Sequence, residues 1–163
     1  MKIYAAKGWQ DTGYKPGAQR KAAAWVTVRA DGQWNVNVND PARGPRDAEG
    51  RTPNSGANWY IPTDNTFPYS GEGAHGGQLI GRLGTTGAPF VVGTWCKIDP
   101  NQVDPNDTLW LTINDASSGL GDNDGALEVT IHATNLEDRD PVAEKNARIA
   151  TYEKVSGKKY IPG

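Results

Sequence analysis

The residues of this chain whose types and spacing could do chemistry lie between Leu109 and Ile131, in the stretch LWLTINDASSGLGDNDGALEVTI. Two apolar alternating runs enclose a loop that carries three carboxylates, Asp115, Asp122 and Asp124, and two amides, Asn114 and Asn123. Like charges held that close repel unless a cation sits among them, and the hard ion that prefers carboxylate, amide and carbonyl oxygens is Ca²⁺. Asp115, Asp122 and Asn123 offer side-chain oxygens, and Gly119 or Ser118 can offer a main-chain carbonyl on a segment able to bend tightly. The loop is not an EF-hand, because Leu120 stands where the first acid would be and Ile131 where the final Glu would be. It resembles one unit of the glycine- and aspartate-rich repeats of calcium-bound β-helices, but the tandem copies those need are absent. The same residues would equally suit an exposed hairpin whose Asx side chains satisfy nearby backbone groups.

The elements that must position this loop read as strands. Twenty glycines, eleven prolines and short β-branched and aromatic runs predict an all-β domain with many turns. Strands are expected at Lys2 to Lys7, Ala24 to Ala30, Gln33 to Val38, Gln78 to Leu83, Pro89 to Val92, Thr94 to Ile98, Thr108 to Ile113 and Ala126 to Ala133. Trp25, Thr27 and Arg29 alternate with Val26 and Val28, the period of a half-buried strand, and Asp31-Gly32 predicts a two-residue hairpin turn. In the last strand Leu127, Val129 and Ile131 share a core face, with Glu128, Thr130 and His132 opposite. Trp25, Trp34, Trp95 and Trp110 fall on these strands and are expected in the core, whereas Trp59 and Tyr60, on the irregular stretch from Asn39 to Gly77, are the better ligand contacts. After Asn135 the composition turns charged. Asp140 and Pro141 suit the N-cap and first turn of a short helix, Val142, Ile149 and Tyr152 could share a face, and Gly157 could end it.

Length and charge limit what such a domain does. At 163 residues the chain has room for one core without staples, and it holds a single cysteine, Cys96, which Val91, Val92 and Trp95 mark as a buried thiol. A net charge of −2 with no basic block disfavours nucleic acid and other polyanions. No apolar run is long enough to span a bilayer, so membrane insertion is not expected. The start, MKIYAAKGWQDTG, lacks a signal-peptide core, which leaves a soluble protein that is cytoplasmic or exported by another route. His75 and His132 have no neighbouring nucleophile or paired acid, and nothing in the spacing is a hydrolase or transferase signature, so no enzyme is expected.

With GWQDTG near the start, HGGQLIGRLG, PFVVG and INDASSGLGDNDGALEVTI, the chain resembles the LecA-like calcium-dependent galactose-binding lectins and related bacterial β-sandwich modules. The resemblance runs from about Ala5 to Ala133, most specifically over Gln78 to Gly93 and Leu109 to Ile131. It implies a jelly-roll β-sandwich of the galactose-binding-domain-like kind over residues 1–134, with 135–163 as a C-terminal extension. It implies one Ca²⁺ held by the side chains of Asp115, Asp122 and Asn123 and the carbonyls of Gly119 and Asn37, with two vicinal sugar hydroxyls completing the coordination. Asp122 replaces the first amide of the family's pair, and Asp124 replaces a small hydroxyl residue. The family's sugar-contacting His and Gln have no counterpart: counting forward from Trp34 reaches Arg51 to Gly56, where Thr52 and Ser55 stand and with Asn54 could hydrogen-bond another polyol, and counting back from Gly77 reaches Asp64 to Phe67.

The leading expectation is thus a calcium-dependent lectin for a galactose-like or other carbohydrate, with Thr52, Ser55, Trp59, Asp115 and Asp122 at the ligand and homo-oligomerisation left open. The alternative is a structural or assembly protein that uses a lectin-like β-sandwich as scaffold and residues 135–163 as a docking arm.

Overall fold

The computed structural model describes residues 1–37, 39, 45–52, 66–135 and 141–161. Alternation sets the strands. In β3 (Ala23–Asp31) Val26, Val28 and Ala30 turn inward, and in β10 (Asp124–Asn135) Leu127 and Val129 do the same while Glu128 and Thr130 face solvent. The two strands lie antiparallel, with Ala30 opposite Val129 and Val28 opposite Ile131, so one face of the pair is continuously apolar.

Among the described residues β10 is the middle of a six-stranded sheet. Glu128 pairs with Lys2 of β1 (Lys2–Tyr4) and also with Asp31 of β3, which puts these strands on opposite edges of β10. β8 (Trp95–Ile98) flanks β3, and β4 (Trp34–Asn35) pairs with both β10 and β5 (Pro45–Arg46). The second sheet has the order β2-β9-β6-β7, from β2 (Gln10–Asp11), β6 (Leu79–Leu83), β7 (Phe90–Val91) and β9 (Leu109–Ile113). Leu79, Leu109, Leu111 and Ile113 meet Ile3, Val26, Val28, Leu127 and Val129 in one core between the sheets. This is an all-β sandwich with a C-terminal helix, α1 (Pro141–Ser156), ended by Gly157 at φ 69°. Among the described residues no helix is long and apolar enough to cross a membrane.

Two expectations fail for physical reasons. Asp31-Gly32 is not a hairpin: β4 meets β10 in the register that β3 would reach if simply prolonged, Asp31 facing Glu128, Trp34 facing Gly125 and Asn35 facing Asp124. Gly32, at φ 98°, breaks the strand without reversing it. Of the four strand tryptophans only Trp34 enters the core, at 1% exposure. Trp25, Trp95 and Trp110 are half-buried and lie against cations: Lys97 Nζ is 3.4 Å from the Trp25 ring centre, Arg148 is 5.8 Å from Trp95, and Arg82 sits between Trp9 and Trp110. An alternating pattern tells which residues share a face, not which face is inside.

Two polar contacts, one buried and one part-buried, brace the segments around Gly77 and Thr94. The Trp34 indole N–H donates to the Gly77 carbonyl at 2.7 Å within the core. On the other flank the Glu49 carboxylate accepts from the Thr94 amide at 2.6 Å and the Thr94 hydroxyl at 3.0 Å. Gly93 makes room for that carboxylate, since a Cβ there would stand 2.1 Å from Glu49 Oε1 and the residue has φ +63°. Burial pushes the Glu49 carboxyl above the ordinary carboxylate value, with the charge of Asp47 adding to it and Thr94 and Arg51 opposing it. The neighbouring Cys96 thiol is pushed up to about 12 by burial and by Glu49, in line with an inert thiol.

Removing the indole donor with Trp34→Phe leaves the Gly77 carbonyl buried without it and should cost about 1–3 kcal/mol of stability in urea unfolding. For Glu49, a folded-state pKa above the unfolded one means that the folded chain holds the extra proton between the two values. Stability should therefore fall as pH rises from the unfolded carboxyl value of 4.5 through the folded one, and Glu49→Gln should lose that part of the slope when melting is followed against pH.

Candidate functional site

β9 delivers the loop and β10 receives it. After Ile113 come Asn114 and Asp115, then a 3-10 turn over Ser117–Asp122, with Asn123 as its C-cap before β10 begins. Asn114 is wholly buried and structural. Its Oδ1 accepts from the Tyr69 amide at 3.0 Å, and its Nδ2 donates to the Tyr69 carbonyl at 2.8 Å and the His75 carbonyl at 3.1 Å. A side-chain amide thus imitates a strand partner and holds residues 69–75 against the end of β9. Gln78 completes this joint by accepting from the His75 amide at 2.6 Å and donating to Gly73 at 3.1 Å. Burial lowers the His75 pKa, which keeps its ring neutral at pH 7.

Asp115, the next residue, points its carboxylate into the turn. Oδ1 accepts from the Ala116 amide at 2.8 Å, and Oδ2 accepts from Asn123 Nδ2 at 3.0 Å. The same Nδ2 donates to the Ala5 carbonyl at 3.1 Å, so two acceptors fix which way the Asn123 amide faces. Among the described residues that orientation leaves Asn123 Oδ1 buried with no hydrogen-bond donor, on a residue only 6% exposed. A buried oxygen of this kind is uncommon enough to call for an explanation, and a cation is one. Gly119 lies over the Asp115 carboxylate, where an added Cβ would come within 3.2 Å of Oδ1. Asp122 is half-buried at the end of the turn.

The other candidates arrive from β4. Asn37 donates its amide to Asn35 Oδ1 at 2.9 Å and accepts from the Asn39 amide at 2.9 Å, two successive Asx turns that bend the chain away from the strand. Its neighbour Val36 shares with Asp115 and Asn114 the wall of a cavity of about 80 Å³, closed by Arg46, Phe67 and Gly77. Thr52 does not line this cavity; it follows Arg51, whose guanidinium donates to the carbonyls of Lys154 and Val155. Ser55 and Trp59 lie outside the described residues. Sequence reasoning missed Arg46, which sits in a stretch without periodicity, and reached Phe67 only as the end of the Asp64 to Phe67 alternative. The HGG triplet was the one signal nearby.

The three-carboxylate cluster is not formed. Asp124 is exposed at the start of β10, opposite Asn35, and among the described residues no three His, Cys, Asp or Glu side chains gather in one place. A cation here would rest on Asp115, Asp122, the Asn123 amide and main-chain carbonyls. Asn114→Ala should cost about 3 kcal/mol in urea unfolding, since it removes three hydrogen bonds to the part-buried main-chain groups of Tyr69 and His75.

No family model matches the sequence, and no curated protein matches it. Among solved structures the fold is similar to a chain described as "EclA N-terminal domain; PllA-like lectin", at 20% sequence identity and a TM-score of 0.53. The match covers 82% of this chain and 93% of that one, a likeness of fold in keeping with the all-β sandwich.

Proposed function

We propose that this chain is a calcium-dependent carbohydrate-binding protein that does not chemically alter its ligand. The observation that carries the reading is the buried Oδ1 of Asn123, which has no donor among the described residues, beside the Asp115 carboxylate in a loop spanning two strands of a lectin-like sandwich. Asp115 and Asp122 supply charge, Asn123 a neutral oxygen, and Gly119 and Asn37 carbonyls, the hard oxygen set that Ca²⁺ prefers. The ion, when bound, would leave positions for two vicinal sugar hydroxyls. Arg46, Phe67 and Gly77 stand at the cavity next to Asp115, and the His and Gln that the LecA-like pattern brings to galactose have no counterpart in the sequence. The sugar class is accordingly assigned by coordination to a vicinal diol rather than to galactose by name.

Calcium at about a hundred times its dissociation constant should stabilise the folded chain by about 2.7 kcal/mol, read as a rise in melting temperature that EDTA reverses. Asp115→Asn should abolish that rise while melting normally in EDTA. A wild-type melting temperature indifferent to calcium and EDTA would sink the metal assignment. A glycan array probed with calcium and again with EDTA then tests the ligand: signals that vanish with EDTA support a calcium-bridged sugar, and a blank array in both conditions rejects the lectin.

A further inference from the structure

The C-terminal arm carries a surface that the Asp115 site does not use. Among the described side chains of α1, residues 145–156, none is buried. The arm is fastened to the sandwich by polar contacts at its edge: Arg51 to the carbonyls of Lys154 and Val155, Lys154 Nζ to Asp31 Oδ1 at 3.6 Å, and Arg148 over Trp95. Its apolar side chains do something else. Beyond Gly157 the chain turns back along the helix, held by the Tyr160 amide donating to Glu153 Oε2 at 2.9 Å and by the Tyr160 ring standing edge-on to Tyr152, centroids 6.3 Å apart.

Helix and returning chain enclose an open groove of about 1100 Å³ whose apolar residues are Ile149, Tyr152, Tyr160 and Ile161. Tyr152, Tyr160 and Ile161 are 46%, 40% and 82% exposed, three of the five exposed large hydrophobic residues in the described structure. Lys145, Arg148, Lys158 and Lys159 also line the groove, and no described carboxylate does. An exposed apolar patch edged by polar residues marks an interaction surface. Residues 141–161 hold five Lys and Arg against two Glu, so the arm is +3 on a chain of −2 overall, which leaves −5 on the remainder.

We propose that the groove between α1 and residues 158–161 docks an acidic protein segment in which carboxylates alternate with aliphatic or aromatic side chains. The apolar members would seat against Ile149, Tyr152, Tyr160 and Ile161, and the carboxylates would meet the four cations, the arrangement that gives such interfaces their specificity and association rate. Charge decides against a second copy seated groove to groove, since four cations would face four more. Shape decides against a lipid surface, because the apolar residues line a concavity rather than a protruding edge.

The test is selection of a displayed random library of peptides of about twelve residues on the full chain in EDTA, which keeps it independent of calcium and sugar. Enriched sequences should be acidic with apolar residues interspersed. Their affinity should fall about tenfold in the double variant Lys158→Glu, Lys159→Glu and weaken with salt in the wild type. These two lysines are exposed, so the variant should melt as the wild type does. Enrichment of neutral or basic sequences, no enrichment, or binding that survives charge reversal overturns the proposal. So does sedimentation of the chain with vesicles of phosphatidylcholine and phosphatidylserine that charge reversal abolishes, or a dimer in sedimentation velocity that the double variant converts to monomer.

Discussion

The molecule is organised around Gly77. Its carbonyl takes the Trp34 indole proton from the first sheet, and its amide donates to the Asn114 carbonyl at the end of β9 in the second, at 2.9 Å. Both bonds lie where water cannot replace them, so each must be made or the core carries a stranded polar group. The residue holds φ 84°, and a Cβ would come within 3.1 Å of Val36 and 3.3 Å of Arg46. One glycine therefore fixes the separation of the sheets at the end where the acidic loop emerges. Val36, Arg46 and Asp115 meet around it because no side chain intervenes.

From that joint the rest of the site end follows. Asn114 ties residues 69–75 to β9, which leaves Asp115 pointing into the turn, and Asn123 closes the turn by bridging Asp115 and Ala5. The opposite flank has its own brace in Glu49, whose carboxylate occupies the space left by Gly93 and secures the chain entering β8. Gly93, at positive φ, thus admits a carboxylate into a place where a methyl group would exclude it, and Gly77, also at positive φ, lets Val36 and Arg46 close on its backbone.

Much of this was readable in the sequence, for an identifiable reason. β3 and β10 have period-two patterns and fall where Val26, Val28 and Val129 predict, and β6 and β9 fall on short apolar runs around Leu79 and Leu111. The two-residue strands β2 and β5 carry too few residues to show a period. Asp31-Gly32 misled because the dipeptide encodes local backbone freedom, whereas its use as a break rather than a turn is set by the partner strand β10. Asn114 was visible as an amide in an acidic loop, but its role belongs to main-chain groups forty residues away in sequence. Arg46 left no trace, since a buried cation in an aperiodic stretch looks like a surface one until the fold surrounds it. The pairing of Asp115 with Asn123 was legible because both flank one short loop, whereas the segments opposite them come from distant parts of the chain.

The place of β10 has a consequence for how the chain comes to be folded. It is the last of the described strands in sequence, yet it lies between β1 and the β3–β4 track in space, with Lys2 paired to Glu128. The first sheet has a vacancy down its centre until β10 has been synthesised, and β1 has no described strand partner until residues 126–128 emerge. Contacts of such long sequence separation form slowly, because loop closure must precede the contacts that offset its cost. On a ribosome the early strands would wait with open edges, and a single late insertion would close the sheet from the middle outward.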